Sequence, residues 1–271
     1  MGCERVDKAV VGIVVAVLLL GLIVAVMTMI NLTYVPKWLK EVEASHMREV
    51  QNQFADLKYA IDMLALVRQH TAVSVPISLG ASNVPIIGKG RTYDTLEIRE
   101  RKCTVIIENS SGNKWTYKVG KVRFLSRNSY FINQEFVYEC GAFILNQSVN
   151  STILGKPIFT AGYDGLSFTI INITTPGVHS LSGHGTYSLW VEFKNSQGVF
   201  TIENVTYITV ISDYPNAWET FFKNLFGRSD NPYSANMVSR EGNKVKVDIS
   251  NMPSPLSLRY VEILVDISLI R

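Results

Sequence analysis

The sequence predicts an α+β protein: a long N-terminal transmembrane and stalk helix, then an antiparallel β-sandwich-like domain with one short helix. Three observations predict it. No charged residue occurs from Ala9 to Pro36. Apolar residues between Met47 and Leu64 then recur at helical spacing. From Val73 onward the chain changes to β-branched and alternating runs separated by turn residues.

The first element, over residues 9–30, is almost entirely Val, Leu, Ile, Ala, Met and Gly. As a helix it is roughly 33 Å long, enough to span a bilayer. A cleaved secretory signal has a shorter apolar region, about 7–15 residues, and a small-x-small cleavage site. Val26-Met27-Thr28-Met29-Ile30 is a poor site of that kind, so the reading is a retained span with residues 1–8 as a cytoplasmic leader. Arg5 and Lys8 precede the span but are offset by Glu4 and Asp7, and Lys37 and Lys40 follow it. Charge therefore barely sets the orientation. Sequons set it instead. Asn31, Asn109, Asn146, Asn150, Asn172 and Asn204 each begin an N-x-S/T triplet, and all lie after the span. Their crowding points to an exported, glycosylated surface, with the N-terminus inside and the C-terminal domain outside. Cys3 precedes the apolar stretch instead of following it, unlike a lipoprotein cysteine, and Val6 stands where a myristoylation signal has Ser or Thr.

Residues 31–72 are expected to form an amphipathic stalk helix. Met47, Val50, Phe54, Leu57, Ile61 and Leu64 follow one another at spacings of 3, 4, 3, 4 and 3, a seam of about two and a half heptads. The seam has two possible occupants, the chain's own β domain or copies of itself. Pro36 kinks or restarts the helix, which should end near His70.

Residues 73–271 leave roughly 200 positions for one β domain with its own core. A β-branched run from Cys103 to Glu108, turn residues from Asn109 to Asn113 and an alternating run through Trp115, Tyr117 and Val119 predict a hairpin. Further runs lie at 136–145, 166–173, 187–193, 200–211, 245–249 and 261–269. One helix is predicted over 216–226. Its face of Trp218, Phe221, Phe222 and Leu225 suits the cover of an open end of the sheets. Cys103 and Cys140 both fall outside the membrane and are free to oxidise. A bridge between them would stabilise the fold by about 4 kcal/mol in the chain-entropy model. The other reading is two separately buried thiols.

Motifs for chemistry are missing. There is no P-loop, no G-x-S-x-G elbow and no H-E-x-x-H. His179 and His184 lie five apart beside glycines and read as turn residues, and no Cys/His/acid cluster has metal-ligand spacing. No catalytic residue, cofactor site or metal site is assigned. The net charge of +3 is spread along the chain, which gives no argument for nucleic acid as a partner. The expected partners are membrane lipid and other subunits.

A short charged leader, a long apolar helix continuing as an amphipathic one, and a β domain together resemble the archaeal type IV pilin-like membrane proteins. Lys8-Ala9-Val10-Val11-Gly12-Ile13 resembles their leader junction. The resemblance implies cleavage between Ala9 and Val10 by a prepilin-type peptidase. Many pilins carry Glu at the fifth mature position, where this chain has Val14. The stretches Gln53–Asp62, Ile77–Gly80 and Tyr138–Gln147 resemble a group of such proteins that brings no catalytic residue with it. The expected function is a structural or assembly protein of the cell surface. An uncleaved tethered protein that binds a protein or glycan is the alternative, and an exported hydrolase is a third.

Overall fold

The computed structural model describes residues 3–81, 93–148, 150–230 and 232–269, and for residues 3–10 and 269 it describes the backbone alone. The chain starts with α1, Cys3–Met29. A single π-helical turn, Ile30–Tyr34, joins it to α2, Val35–Val67. Pro36 explains the join. It lies in the first turn of α2, has no N–H to give, and its ring crowds the carbonyl four residues back. The wider turn relieves this, with the Val35 N–H donating to the Ile30 carbonyl. The stalk helix expected over 31–72 therefore runs from 35 to 67. Arg68 stops it in a left-handed conformation, φ 57, and donates its N–H to the Leu64 carbonyl at 2.9 Å.

The strands that follow are β1 (Ala72–Leu79), β2 (Asp94–Asn109), β3 (Lys114–Leu125), β4 (Glu135–Glu139), β5 (Ala142–Gln147), β6 (Asn150–Gly155) and β7 (Phe159–Gly162). Next come β8 (Gly165–Thr174), β9 (Ser180–Gly183) and β10 (Gly185–Ile211). After the helix α3 (Pro215–Phe226) lie β11 (Val238–Glu241), β12 (Lys244–Asp248) and β13 (Ser254–Leu269). The run expected over 136–145 is in fact the hairpin β4–β5. Cys140 and Gly141 form its two-residue loop, with φ of 50 and 81.

The class is α+β as expected, and the described strands are linked by hydrogen bonds into one sheet. Its order is β6-β5-β4-β3-β2-β10-β13-β8-β7, with β1 and β12 also on β10, β9 on β2 and β11 on β12. The pair β13–β8 is parallel. Continuity comes from β10, 27 residues long, which pairs with β1, β2, β12 and β13 and shifts register through bulges.

Side-chain alternation divides this sheet between two cores. Along β13, Val261, Ile263 and Val265 face α2, while Leu256 and Leu258 face the other way, toward α3. In β4, Phe136 and Tyr138 pack with α2 and Val137 packs with the α3 core. Thus α2 covers one face of the sheet toward one end, and α3 covers the opposite face toward the other. The face of α3 is as expected for Trp218, Phe221 and Phe222, with Phe226 buried in place of the half-buried Leu225.

Candidate functional site

The N-terminal helix is the first functional feature. The side chains of Val11 to Met29 are exposed, and the helix is long and apolar enough to cross a membrane, with none of its most apolar window buried. Ala9 and Val10, the expected cleavage point, belong to the α1 backbone, but their side chains, like Met1 and Gly2 entirely, lie outside the described residues.

The seam of α2 has its occupant. Met47, Val50, Phe54, Leu57, Ile61 and Leu64 are all buried in one core with β1, β4, β10 and β13. Phe54 meets Phe124, Phe136 and Phe143 at ring separations of 6.2, 6.0 and 6.0 Å. The seam is therefore not open to copies of the chain, because the sheet supplies apolar area over its whole length. Polar contacts fix the same helix. The carboxylate of Glu43, itself buried, accepts the backbone N–H groups of Ser129, Tyr130 and Phe131.

The sequons separate into three kinds. Asn31, Asn150 and Asn204 are exposed. Asn109 and Asn146 are half-buried and engaged: Asn109 accepts from the Asn113 N–H at 2.9 Å, and Asn146 donates to Glu135 at 2.8 Å. Asn172 corrects the expectation. It is 8% exposed and its Oδ1 accepts the Gly120 N–H at 2.9 Å. A Cβ on Gly120 would meet the Ile173 carbonyl oxygen at 2.1 Å, so β3 and β8 touch there and leave no room for a glycan.

For Cys103 and Cys140 the structure holds the second of the two readings. Both are buried free thiols. Cys103 belongs to β2 and Cys140 to the β4–β5 loop, with β3 between those strands. Two strand spacings separate them by about 10 Å, beyond the roughly 7 Å that a disulfide reaches without backbone movement. Burial pushes both thiols well up, and the carboxyl of Glu139 beside them adds to the shift.

Glu139 belongs to the least expected group in the molecule, a charged cluster inside the α3 side of the sheet. Lys121 and Glu139 are register partners across β3 and β4, and their side chains are 1% and 0% exposed. Lys121 Nζ lies 3.7 Å from Glu139 Oε2 and 2.7 Å from Asp213 Oδ2. It also stands 4.6 Å over the ring of Tyr214. The segment that leads into α3 wraps Glu139: the Ser212 hydroxyl donates to Oε1 at 2.5 Å and the Trp218 indole N–H at 3.0 Å. Oε2 has no hydrogen-bond partner among the described residues. Burial raises the Glu139 carboxyl, against the opposing pull of Lys121. Burial would also raise Asp213, but its hydrogen bond and attraction to Lys121 hold it below the ordinary range. Beside this cluster, Glu135 accepts from Arg123, Tyr214 and Asn146. The one sequence signal for this cluster is Glu139, a charge inside an apolar run; nothing around Lys121 marks it.

Elsewhere, among the described residues, no three His, Cys, Asp or Glu side chains meet in a metal-holding group. His179 and His184 lie on either side of β9. A cavity of about 350 Å³ lies between α3 and β6–β7, with Lys156, Phe221, Arg228 and Asp230 in its lining. No curated protein and no solved structure matches the chain. Residues 8–265 match the model of a family of unknown function, DUF7289, and by that extent the chain belongs to it.

Proposed function

We propose that this chain is a non-catalytic, pilin-like protein of the cell surface. In this reading α1 sits in the membrane with its N-terminus cytoplasmic, and the β domain stands outside as a structural or assembly element. One observation carries the reading. The exposed apolar α1 passes through a single π turn, with no linker, into a helix that is part of the domain core. A protein that needs only a tether tolerates a flexible linker. A subunit whose domain must take a fixed position relative to neighbouring helices needs a rigid connection. Packing of α1 against other apolar helices gives it partners of its own kind. The exposed sequons at Asn31, Asn150 and Asn204 support an external, glycosylated domain.

The cavity beside α3 favours a second reading, an uncleaved tethered protein that binds a protein or glycan. Its mixture of Phe221 with Lys156, Arg228 and Asp230 combines an apolar wall with charged groups that orient a ligand. Mass spectrometry of the mature N-terminus from native membranes separates the two. A chain that begins at Val10 supports the assembly reading. A chain that begins at Met1 or Gly2 contradicts it and leaves the tethered reading.

A further inference from the structure

We propose that Lys121 and Asp213 become joined by an intramolecular amide bond, with Glu139 as the proton carrier. Three observations place the reacting groups. Lys121 Nζ donates to Asp213 Oδ2 at 2.7 Å, so the nitrogen is already held against the carboxyl group it attacks. Glu139 Oε2 lies 3.7 Å from the same nitrogen and is buried without a hydrogen-bond partner among the described residues. Its sister oxygen is fixed by Ser212 and Trp218, which holds Oε2 in place. Oε2 thus has the charge attraction of Lys121 but no hydrogen bond of its own. As a general base it has a role.

The chemistry balances without a co-reactant. A proton moves along the hydrogen bond from Nζ to Asp213, and the ion pair becomes an amine and a carboxylic acid. The amine lone pair attacks Cγ of Asp213, the Nζ–Cγ bond forms, and the carbonyl electron pair moves onto oxygen. Glu139 Oε2 takes a proton from Nζ and passes it to the Asp213 hydroxyl as the Cγ–O bond breaks. Water leaves and Glu139 ends as it began. Asp213 is 63% exposed, which gives that water a way out, while Lys121 and Glu139 remain enclosed. The bond ties β3 to the segment between β10 and α3, a covalent ring closed across β2. In a domain held by one helix, it would resist the peeling of α3 and β10 from the sheet.

The test is intact mass and peptide mapping of the full-length protein, made in a host that does not glycosylate it. After allowance for the N-terminus found, the expected mass is lower than the sequence mass by one water molecule. Lys121 and Asp213 should then occur in one branched peptide. Asp213→Asn loses ammonia instead and reaches the same final mass as the parent protein. Lys121→Arg and Asp213→Ala keep their full sequence masses. Full mass in the parent protein, with Lys121 and Asp213 in separate peptides, overturns the proposal however the variants fold. A branched peptide in folded Glu139→Gln at the parent yield removes Glu139 from its role.

Discussion

The carboxylate of Glu43 accepts the backbone N–H of Phe131 at 2.7 Å, and those of Tyr130 and Ser129 at 2.8 and 3.0 Å. One side chain of α2 thus satisfies three donors of the loop between β3 and β4. Glu43→Ala leaves those N–H groups without their acceptor, at a cost of about 1–3 kcal/mol. Chemical unfolding should register the loss. Amide exchange should rise at 129–131, while strands on the α3 side keep their protection.

Leu57→Ala cuts into the core that α2 shares with the sheet and should lower stability by about 2–5 kcal/mol. The oligomeric state should not change, because the seam contacts this chain and not a copy. A variant that keeps its stability, or dissociates an assembly while stable, would place the seam in a subunit contact.

Glu135 and Glu139 should respond to acid in opposite senses. At Glu135, burial favours the neutral form, but hydrogen bonds from Arg123, Tyr214 and Asn146 outweigh it and hold the carboxyl below its ordinary 4.5. A depressed folded value contributes stability above pH 4.5 that is lost as pH falls below it. At Glu139 burial wins and the value is raised above 4.5. Its contribution is therefore fully present below pH 4.5 and fades as pH rises through the folded value. Glu135→Gln should flatten the acid limb of the urea midpoint against pH. An unchanged limb would mean that the Arg123 pair contributes nothing.

Both thiols at Cys103 and Cys140 are buried, and burial raises them. Alkylation of the native domain should modify neither. In denaturant without reductant it should modify both, whereas a bridged pair would modify only after reduction.

Glycopeptides from a host that modifies sequons should carry Asn150 and Asn204, which are exposed, and never Asn172, which is fixed against Gly120. A glycan at Asn172 would mean that β3 and β8 separate before folding is complete.

Helix α1 was legible from its long uncharged apolar run, and α2 and α3 because each has a periodic face. The seam from Met47 to Leu64 and the aromatic face of α3 bury as their spacing required. The single sheet was not legible, because strand alternation states which side chains share a face and not which strands are neighbours. The parallel pairing of β8 with β13 joins segments some ninety residues apart in sequence and leaves no local trace. The charged cluster escaped for another reason. A buried lysine looks like a solvent lysine until its partners are known, and those of Lys121 come from β4 and the approach to α3. Cys103 and Cys140 could be paired on paper because their spacing does not reveal that β3 lies between them.

The assembly reading depends most on what α1 touches in the membrane. Single cysteines placed in turn from Val14 to Met27, in a chain with Cys3→Ser, would be oxidised in native membranes and resolved by size. A subunit packed through α1 gives cross-linked species that recur every three or four positions, along one face of the helix. Monomer at every position would contradict assembly through α1 and leave the helix as a plain anchor.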